Sequence, residues 1–87
     1  MTYDLRLSPA ARSFYDKADD KLAKRLNRCF SQIQTDPRGH PNIRILRGKL
    51  AGYYRYRLGS LRIIYQIHED HRLITIVVIV QRGQAYA

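Results

Sequence analysis

The sequence predicts a single α+β domain: an N-terminal strand, a two-helix hairpin, then a mostly antiparallel sheet of three to four strands with both helices on one face. Three observations carry this. After the first few residues the apolar positions recur at helical spacing as far as Ile33, and beyond Asn42 they recur at strand spacing. The breaker cluster Thr35-Asp36-Pro37-Arg38-Gly39-His40-Pro41-Asn42 separates the two regimes. Residues 73–80, Leu-Ile-Thr-Ile-Val-Val-Ile-Val, are β-branched and apolar on both faces, as expected of a central strand covered at least in part on both sides.

Each element has its own signal. Tyr3, Leu5 and Leu7 alternate with polar residues and share one strand face. Ser8-Pro9 is an N-cap followed by a first-turn proline, which predicts a short helix to about Ala18 with Ala11, Phe14, Tyr15 and Ala18 inward. Asp19 or Asp20 caps a second helix, whose stripe is Leu22, Leu26, Cys29, Phe30 and Ile33. Lys21, Lys24, Arg25 and Arg28 lie off that stripe, on a face that is solvated or meets a partner. Residues 43–46 form a short strand and residues 48–52 a loop. In residues 53–58, Tyr54, Tyr56 and Leu58 face one way and Tyr53, Arg55 and Arg57 the other. Gly59-Ser60 is a two-residue turn, residues 61–68 a strand with Leu61, Ile63, Tyr65 and Ile67 inward, and Glu69-Asp70-His71 the next turn.

Length and composition narrow the function classes. The 87 residues allow one domain, spanning 1–87. A lone cysteine, Cys29, excludes an internal disulfide and a cysteine-rich zinc site, and it sits on the core stripe. His40, His68 and His71 lack metal-ligand spacing, so neither a metal nor another cofactor is expected. The longest apolar run is far short of the roughly 20 residues that span a bilayer, and no signal-like stretch opens the chain. A cytoplasmic protein with no membrane partner is therefore expected. Charge points to the partner: 16 Lys+Arg oppose 7 Asp+Glu, a net +9. Residues 38–87 carry nine of the bases and two of the acids, and eight of those nine bases are Arg. The planar guanidinium fork matches phosphate oxygens, so an Arg-rich half fits a polyanion.

The hairpin concentrates that charge. Pairing about Gly59-Ser60 sets Leu58 opposite Leu61 and therefore Arg57 opposite Arg62, on the same face as Arg55. Like charges directly opposed are destabilising, so retaining them implies an anion between them. If the last two strands also form a hairpin, Arg82 returns past the level of Arg62, with Tyr86 four residues beyond. Such a patch suits RNA cleavage by attack of the 2′-hydroxyl on its own phosphodiester. That reaction needs neither a metal nor a protein nucleophile, but does need positive charge around the phosphorane, a proton acceptor and a proton donor. Tyr86 would stack on a base or orient the hydroxyl. No histidine falls beside these residues by pattern, and Arg is a poor proton acceptor because its pKa exceeds about 12.

Several strings resemble the RelE/ParE toxin superfamily over nearly the whole chain: Leu46-Arg47-Gly48, Tyr54-Arg55-Tyr56-Arg57-Leu58, Leu61-Arg62-Ile63-Ile64-Tyr65-Gln66, and the ending Val80-Gln81-Arg82-Gly83-Gln84-Ala85-Tyr86. The resemblance to its RelE branch implies a ribosome-dependent, metal-independent endoribonuclease that cuts mRNA in the A site, paired with a cognate antitoxin protein in a toxin–antitoxin hetero-oligomer. It implies that Arg55 and Arg57 contact the scissile phosphate, where RelE-type members carry lysines and the second is a general base. Arg62 and Arg82 fall on the arginines that stabilise the transition state, and Tyr86 on the tyrosine that stacks on the substrate base. Arg47 and Lys49, in the loop after the short strand, would touch RNA backbone. Gln81 stands where many relatives have His or Lys. The ParE branch, which acts on DNA gyrase, and a non-catalytic RNA- or ribosome-binding domain are the alternatives.

Overall fold

The computed structural model describes residues 2–81. Its first strand, β1 (Asp4–Leu7), runs into Ser8, whose hydroxyl is shared between two elements. Ser8 Oγ accepts the Ala11 N–H and so caps α1 (Pro9–Asp16), with Pro9 at its first position. The same hydroxyl donates to the Val77 carbonyl, and the Ser8 N–H donates to Ile76 O at 2.9 Å. Helix α1 stops at Asp16, two residues short of the expected Ala18. Asp19 has to adopt extended backbone to cap α2 (Asp20–Thr35), accepting the Leu22 N–H at 2.8 Å, and this leaves no room for a further helical turn. Pro37 ends α2, because the residue before a proline is disfavoured in helical geometry; Asp36 has left it at φ −147°, ψ 81°.

Four strands follow: β2 (Ile43–Ile45), β3 (Tyr54–Leu58), β4 (Leu61–His68) and β5 (Leu73–Gln81). Sheet order is β1-β5-β4-β3-β2. The four later strands pair antiparallel in sequence order, and β1 joins as a fifth, parallel to β5. The expected antiparallel sheet is thus present with four strands, and the N-terminal strand extends it into a mixed sheet of five. At Gly59 the β3–β4 turn requires φ +58°, and the Arg25 guanidinium lies 2.9 Å from where a Cβ would sit, so only glycine meets both conditions without a shift. Between Ile64 and Tyr65 the β4–β5 ladder shifts register, passing from Ile64↔Val78 to Tyr65↔Ile76. The extra residue is Val77, whose carbonyl Ser8 holds. A bulge of this kind bends the strand and sharpens its twist.

Both helices lie on one face. Leu26 and Ile33 of α2 pack with Ile63, Tyr65, Ile74 and Ile76, all without measurable exposure. Tyr65 brings a hydroxyl into this core and donates it to Pro37 O at 2.6 Å, so no buried side-chain polar atom among the described residues is orphaned. Burial pushes its phenol pKa up, and pushes the Cys29 thiol up to about 12, as befits an inert core thiol. On the opposite face Ile64 and Val80 are buried too, which accounts for apolar residues on both sides of β5.

A polar clamp closes one end of the sheet. Arg38, just after α2, reaches Glu69 in the β4–β5 turn at 2.7 Å. Tyr3 OH donates to the same carboxylate at 3.0 and 3.1 Å, and the Arg72 guanidinium lies 4.0 Å from the Tyr3 ring centroid. Arg38 also lies over Tyr54, which stacks on Tyr65. The start of the chain, the α2–β2 loop and the β4–β5 turn are joined through one carboxylate.

Candidate phosphate-binding face

The helix-free face of the sheet is set by the two-residue period of its strands. Tyr54, Tyr56 and Leu58 of β3 turn towards the helices, so Arg55 and Arg57 turn away. In the register of β3 with β4, Arg57 is the direct partner of Arg62, as the two-residue turn predicts. In the register of β2 with β3, Arg44 is the direct partner of Arg55. Four arginines therefore stand as two opposed pairs, two residues apart along β3. Directly opposed residues of an antiparallel pair have Cβ atoms roughly 4.5–5.5 Å apart, where like charges repel.

Local bonds fix the geometry. Asn42 joins the edge of β3 at both of its ends: its carbonyl accepts the Arg57 N–H at 3.0 Å and its side-chain amide donates to Arg57 O at 3.0 Å. The Asn42 N–H is itself donated to His40 Nδ1 at 3.1 Å, and the His40 ring stacks on Tyr56, on the helix side of the sheet. Arg44 Nη1 donates to Pro41 O at 3.1 Å and Ile43 O at 2.9 Å, while Arg55 Nη1 makes a long 3.5 Å contact with Asn42 O. Pro41, Asn42, Arg44, Arg55 and Arg57 line a cleft. Arg62 Nη1 approaches its neighbour's carbonyl, Leu61 O, at 3.4 Å.

No carboxylate among the described residues pairs with Arg44, Arg57 or Arg62; the ion pairs of the described chain are Arg12–Asp16 and Arg38–Glu69. Arg44, Arg57 and Arg62 thus concentrate positive charge without a carboxylate partner among the described residues. No group of histidine, cysteine, aspartate and glutamate among the described residues could hold a metal ion. The arrangement can grip an anion and stabilise charge that develops on it. No histidine lines the cleft, so a side chain suited to accept a proton near neutral pH is not supplied there by the described residues.

Of the residues singled out from the sequence, the structure brings Arg55, Arg57 and Arg62 together. Arg47 and Lys49 are exposed in the β2–β3 connection, which emerges at the end of β3 opposite the Gly59-Ser60 turn, so they stand apart from the Arg57/Arg62 pair. Arg82 and Tyr86 lie outside the described residues. Arg44 was not anticipated. Its only sequence signal is the alternation Ile43-Arg44-Ile45, which places an arginine outward but does not reveal its partner.

The profile of the ParE toxin of type II toxin–antitoxin systems (parDE) matches residues 5–86. The chain belongs to this toxin family. Solved structures agree on the fold. The RelBE2 toxin–antitoxin complex of Mycobacterium tuberculosis contains a chain 25% identical, with a TM-score of 0.79, 94% of this chain and 100% of that chain being covered. The archaeal RelE–RelB complex of Pyrococcus horikoshii OT3 matches at 23% identity and a TM-score of 0.80, covering 98% of this chain and 100% of that one. A YoeB/ParE toxin from Agrobacterium tumefaciens matches at 17% identity and a TM-score of 0.79, covering 91% and 98%. No individually curated protein matches. The toxin thus has the RelE-like α+β fold of the RelE/ParE superfamily, and no helix among its described residues is long and apolar enough to cross a membrane.

Proposed function

We propose that this toxin is a ribosome-dependent endoribonuclease that cleaves mRNA in the A site by attack of the 2′-hydroxyl on the adjacent phosphodiester. The observation that carries the reading is the pair of opposed arginines, Arg57 and Arg62, with no carboxylate partner among the described residues, on the face of the sheet opposite α1 and α2. Two guanidiniums across one strand pair form a fork for the scissile phosphate. As the 2′-oxygen attacks and the 5′-oxygen leaves, charge accumulates on the equatorial oxygens, and donors aimed at those oxygens stabilise the transition state more than the ground state. Arg55 continues the binding surface. By the resemblance drawn above, Arg82 joins the transition-state donors, Tyr86 stacks on a base, and Arg47 and Lys49 meet RNA backbone away from the reacting phosphate. The arginines carry the electrostatic part of catalysis. The proton of the attacking hydroxyl goes to another acceptor, since a guanidinium with a pKa above about 12 holds its own.

In the cytoplasm the toxin is held by a cognate antitoxin, whose acidic segment covers the arginine face within a hetero-oligomer. Expression without the antitoxin, followed by mapping of mRNA 5′ ends on translating ribosomes, tests the reading. Codon-phased cuts are expected, and they should vanish in Arg57→Ala and Arg62→Ala. RNA bound without cuts would make the toxin a non-catalytic binding domain. The matching family profile, named for ParE, favours a second reading, inhibition of DNA gyrase. Accumulated gyrase–DNA cleavage complexes with intact mRNA would establish it instead.

A further inference from the structure

We infer that the cleft at the β2–β3 edge is a second phosphate site, in which Arg44 grips the RNA phosphate one nucleotide away from the phosphate held between Arg57 and Arg62. This rests on the endoribonuclease reading and extends it to a residue that the reading does not use.

The spacing comes first. The two arginine pairs share one sheet face, and their β3 members, Arg55 and Arg57, are two residues apart. Two residues of antiparallel strand advance about 6.8 Å. That is the scale of one nucleotide step of an extended sugar–phosphate backbone, which runs through six covalent bonds. A single strand lying along β3 therefore presents successive phosphates to successive arginine pairs.

The construction of the cleft comes second. Arg44 is exposed, yet its guanidinium is not left to wander: Nη1 donates to both Pro41 O and Ile43 O. These bonds use one nitrogen of the fork. Of the five guanidinium donors, those on Nε and Nη2 have no partner among the described residues. A fork held at one tine keeps its remaining donors pre-aimed, so less freedom is lost when an anion arrives. Asn42 fixes the floor through its two bonds to the Arg57 backbone and its bond to His40.

The electrostatics come third. Arg44 faces Arg55 directly across the strand pair, where like charges repel. The described residues supply Arg44 with no carboxylate. A phosphodiester held by the Arg44 fork would supply the counter-charge that Arg44 lacks among the described residues. Further from the scissile bond, such a site contributes uniform binding and sets the strand's register on the toxin, which places the correct phosphate between Arg57 and Arg62.

The test uses the full-length toxin freed of its antitoxin and two 2′-O-methyl oligoribonucleotides that bind but cannot be cut: a dinucleotide with one phosphodiester and a trinucleotide with two. Affinity is read by NMR titration at several salt concentrations. In wild type the second phosphate should strengthen binding about tenfold, the scale of a charge-assisted hydrogen-bond set. In Arg44→Gln that gain should fall below twofold, dinucleotide affinity should be unchanged, and the slope of log K against log salt for the trinucleotide should drop by about 0.7, one phosphate contact on a single strand. Arg44→Lys should keep the slope and lose part of the affinity; it also carries the test if the Gln variant misfolds. If Arg44→Gln and Arg44→Lys bind the trinucleotide like wild type while Arg57→Gln binds it weakly, the second site is wrong and the primary reading stands. If Arg57→Gln and Arg62→Gln also bind like wild type, the phosphate-binding face itself is wrong. If Arg44→Gln weakens the cognate antitoxin tenfold and leaves RNA untouched, Arg44 is a protein contact and the inference is overturned.

Discussion

Two groups of arginines on this small sheet are used in opposite ways. At one end Arg38 is met by Glu69, Tyr3 shares that carboxylate, and Arg72 lies on the Tyr3 ring. Tyr54 and Glu69 together hold the Arg38 guanidinium above its usual pKa, and Arg38 and Tyr3 hold Glu69 below its own. On the helix-free face Arg57 and Arg62 are direct cross-strand partners with no carboxylate among the described residues, and Arg44 is tied to backbone carbonyls rather than to an acid. Within one fold, an arginine that serves architecture finds its acceptors inside the chain. The arginines of the open face are positioned by the chain and, among the described residues, left short of counter-charge, as the proposed phosphate-binding role requires. Pairing, more than arginine content, separates the two.

The largest expected effect breaks this contrast at the open face. Arg57→Ala and Arg62→Ala should each lower single-turnover mRNA cleavage on ribosomes by about 10²–10³, the loss seen when one oxyanion donor is removed. Neither should lower the melting temperature, and each should raise it slightly by relieving repulsion. A variant that loses stability along with activity would place its arginine among the architectural ones.

The same face shows what was legible in the sequence. Arg57 opposite Arg62 could be read because Gly59-Ser60 leaves a two-residue turn, which fixes the register of everything it joins. Arg44 opposite Arg55 could not, because residues 46–53 separate β2 from β3 and contain a turn of 3₁₀ helix, so several registers fit that length. The parallel pairing of β1 with β5 was also hidden. It depends on where the helical hairpin delivers the chain and on Ser8 reaching the bulge at Val77, and neither leaves a local pattern. The elements themselves were legible because their caps, breakers and periods are local; the end of α1 shifted by two residues, under the demand of the Asp19 cap, and β2, β3 and β5 each moved one bound by a single residue.

The paired end offers the next test. Tyr65→Phe removes a hydroxyl that donates to Pro37 O inside the core, leaving a carbonyl without its donor. The expected loss is about 1–3 kcal/mol, and at this size each 1 kcal/mol lowers the melting temperature by roughly 4–8 °C. Cleavage measured below the melting temperature should be unaffected. A cleavage defect at full folding would mean that this end also shapes the reactive face.

Glu69 gives the clamp a pH signature. Because its folded pKa is lowered, its contribution is fully present above the unfolded value near 4.3 and is lost as pH falls through the lower, folded value. Melting temperature followed from pH 6 down to pH 3 should therefore fall more steeply in wild type than in Glu69→Gln, which starts lower and has no such carboxylate to protonate. Parallel curves would mean that the exposed carboxylate contributes nothing measurable, as many surface ion pairs do not.

The smallest effect separates the two groups by salt alone. Opposed arginines at about 5 Å repel each other, and raising ionic strength from 0.05 to 0.5 M shortens the Debye length from above 10 Å to well below it. A cross-strand like-charge pair is worth about 0.2–1 kcal/mol, so salt should stabilise wild type by a few tenths of a kcal/mol more than it stabilises Arg57→Gln. Lys49→Gln, in the exposed β2–β3 connection and without a cross-strand partner, makes the same change in net charge and serves as the control. Its salt response should stay closer to that of wild type, since no opposed partner is relieved. Equal responses from Arg57→Gln and Lys49→Gln would mean that salt reports only the net charge, and that the opposed pair stores no repulsion for a phosphate to relieve.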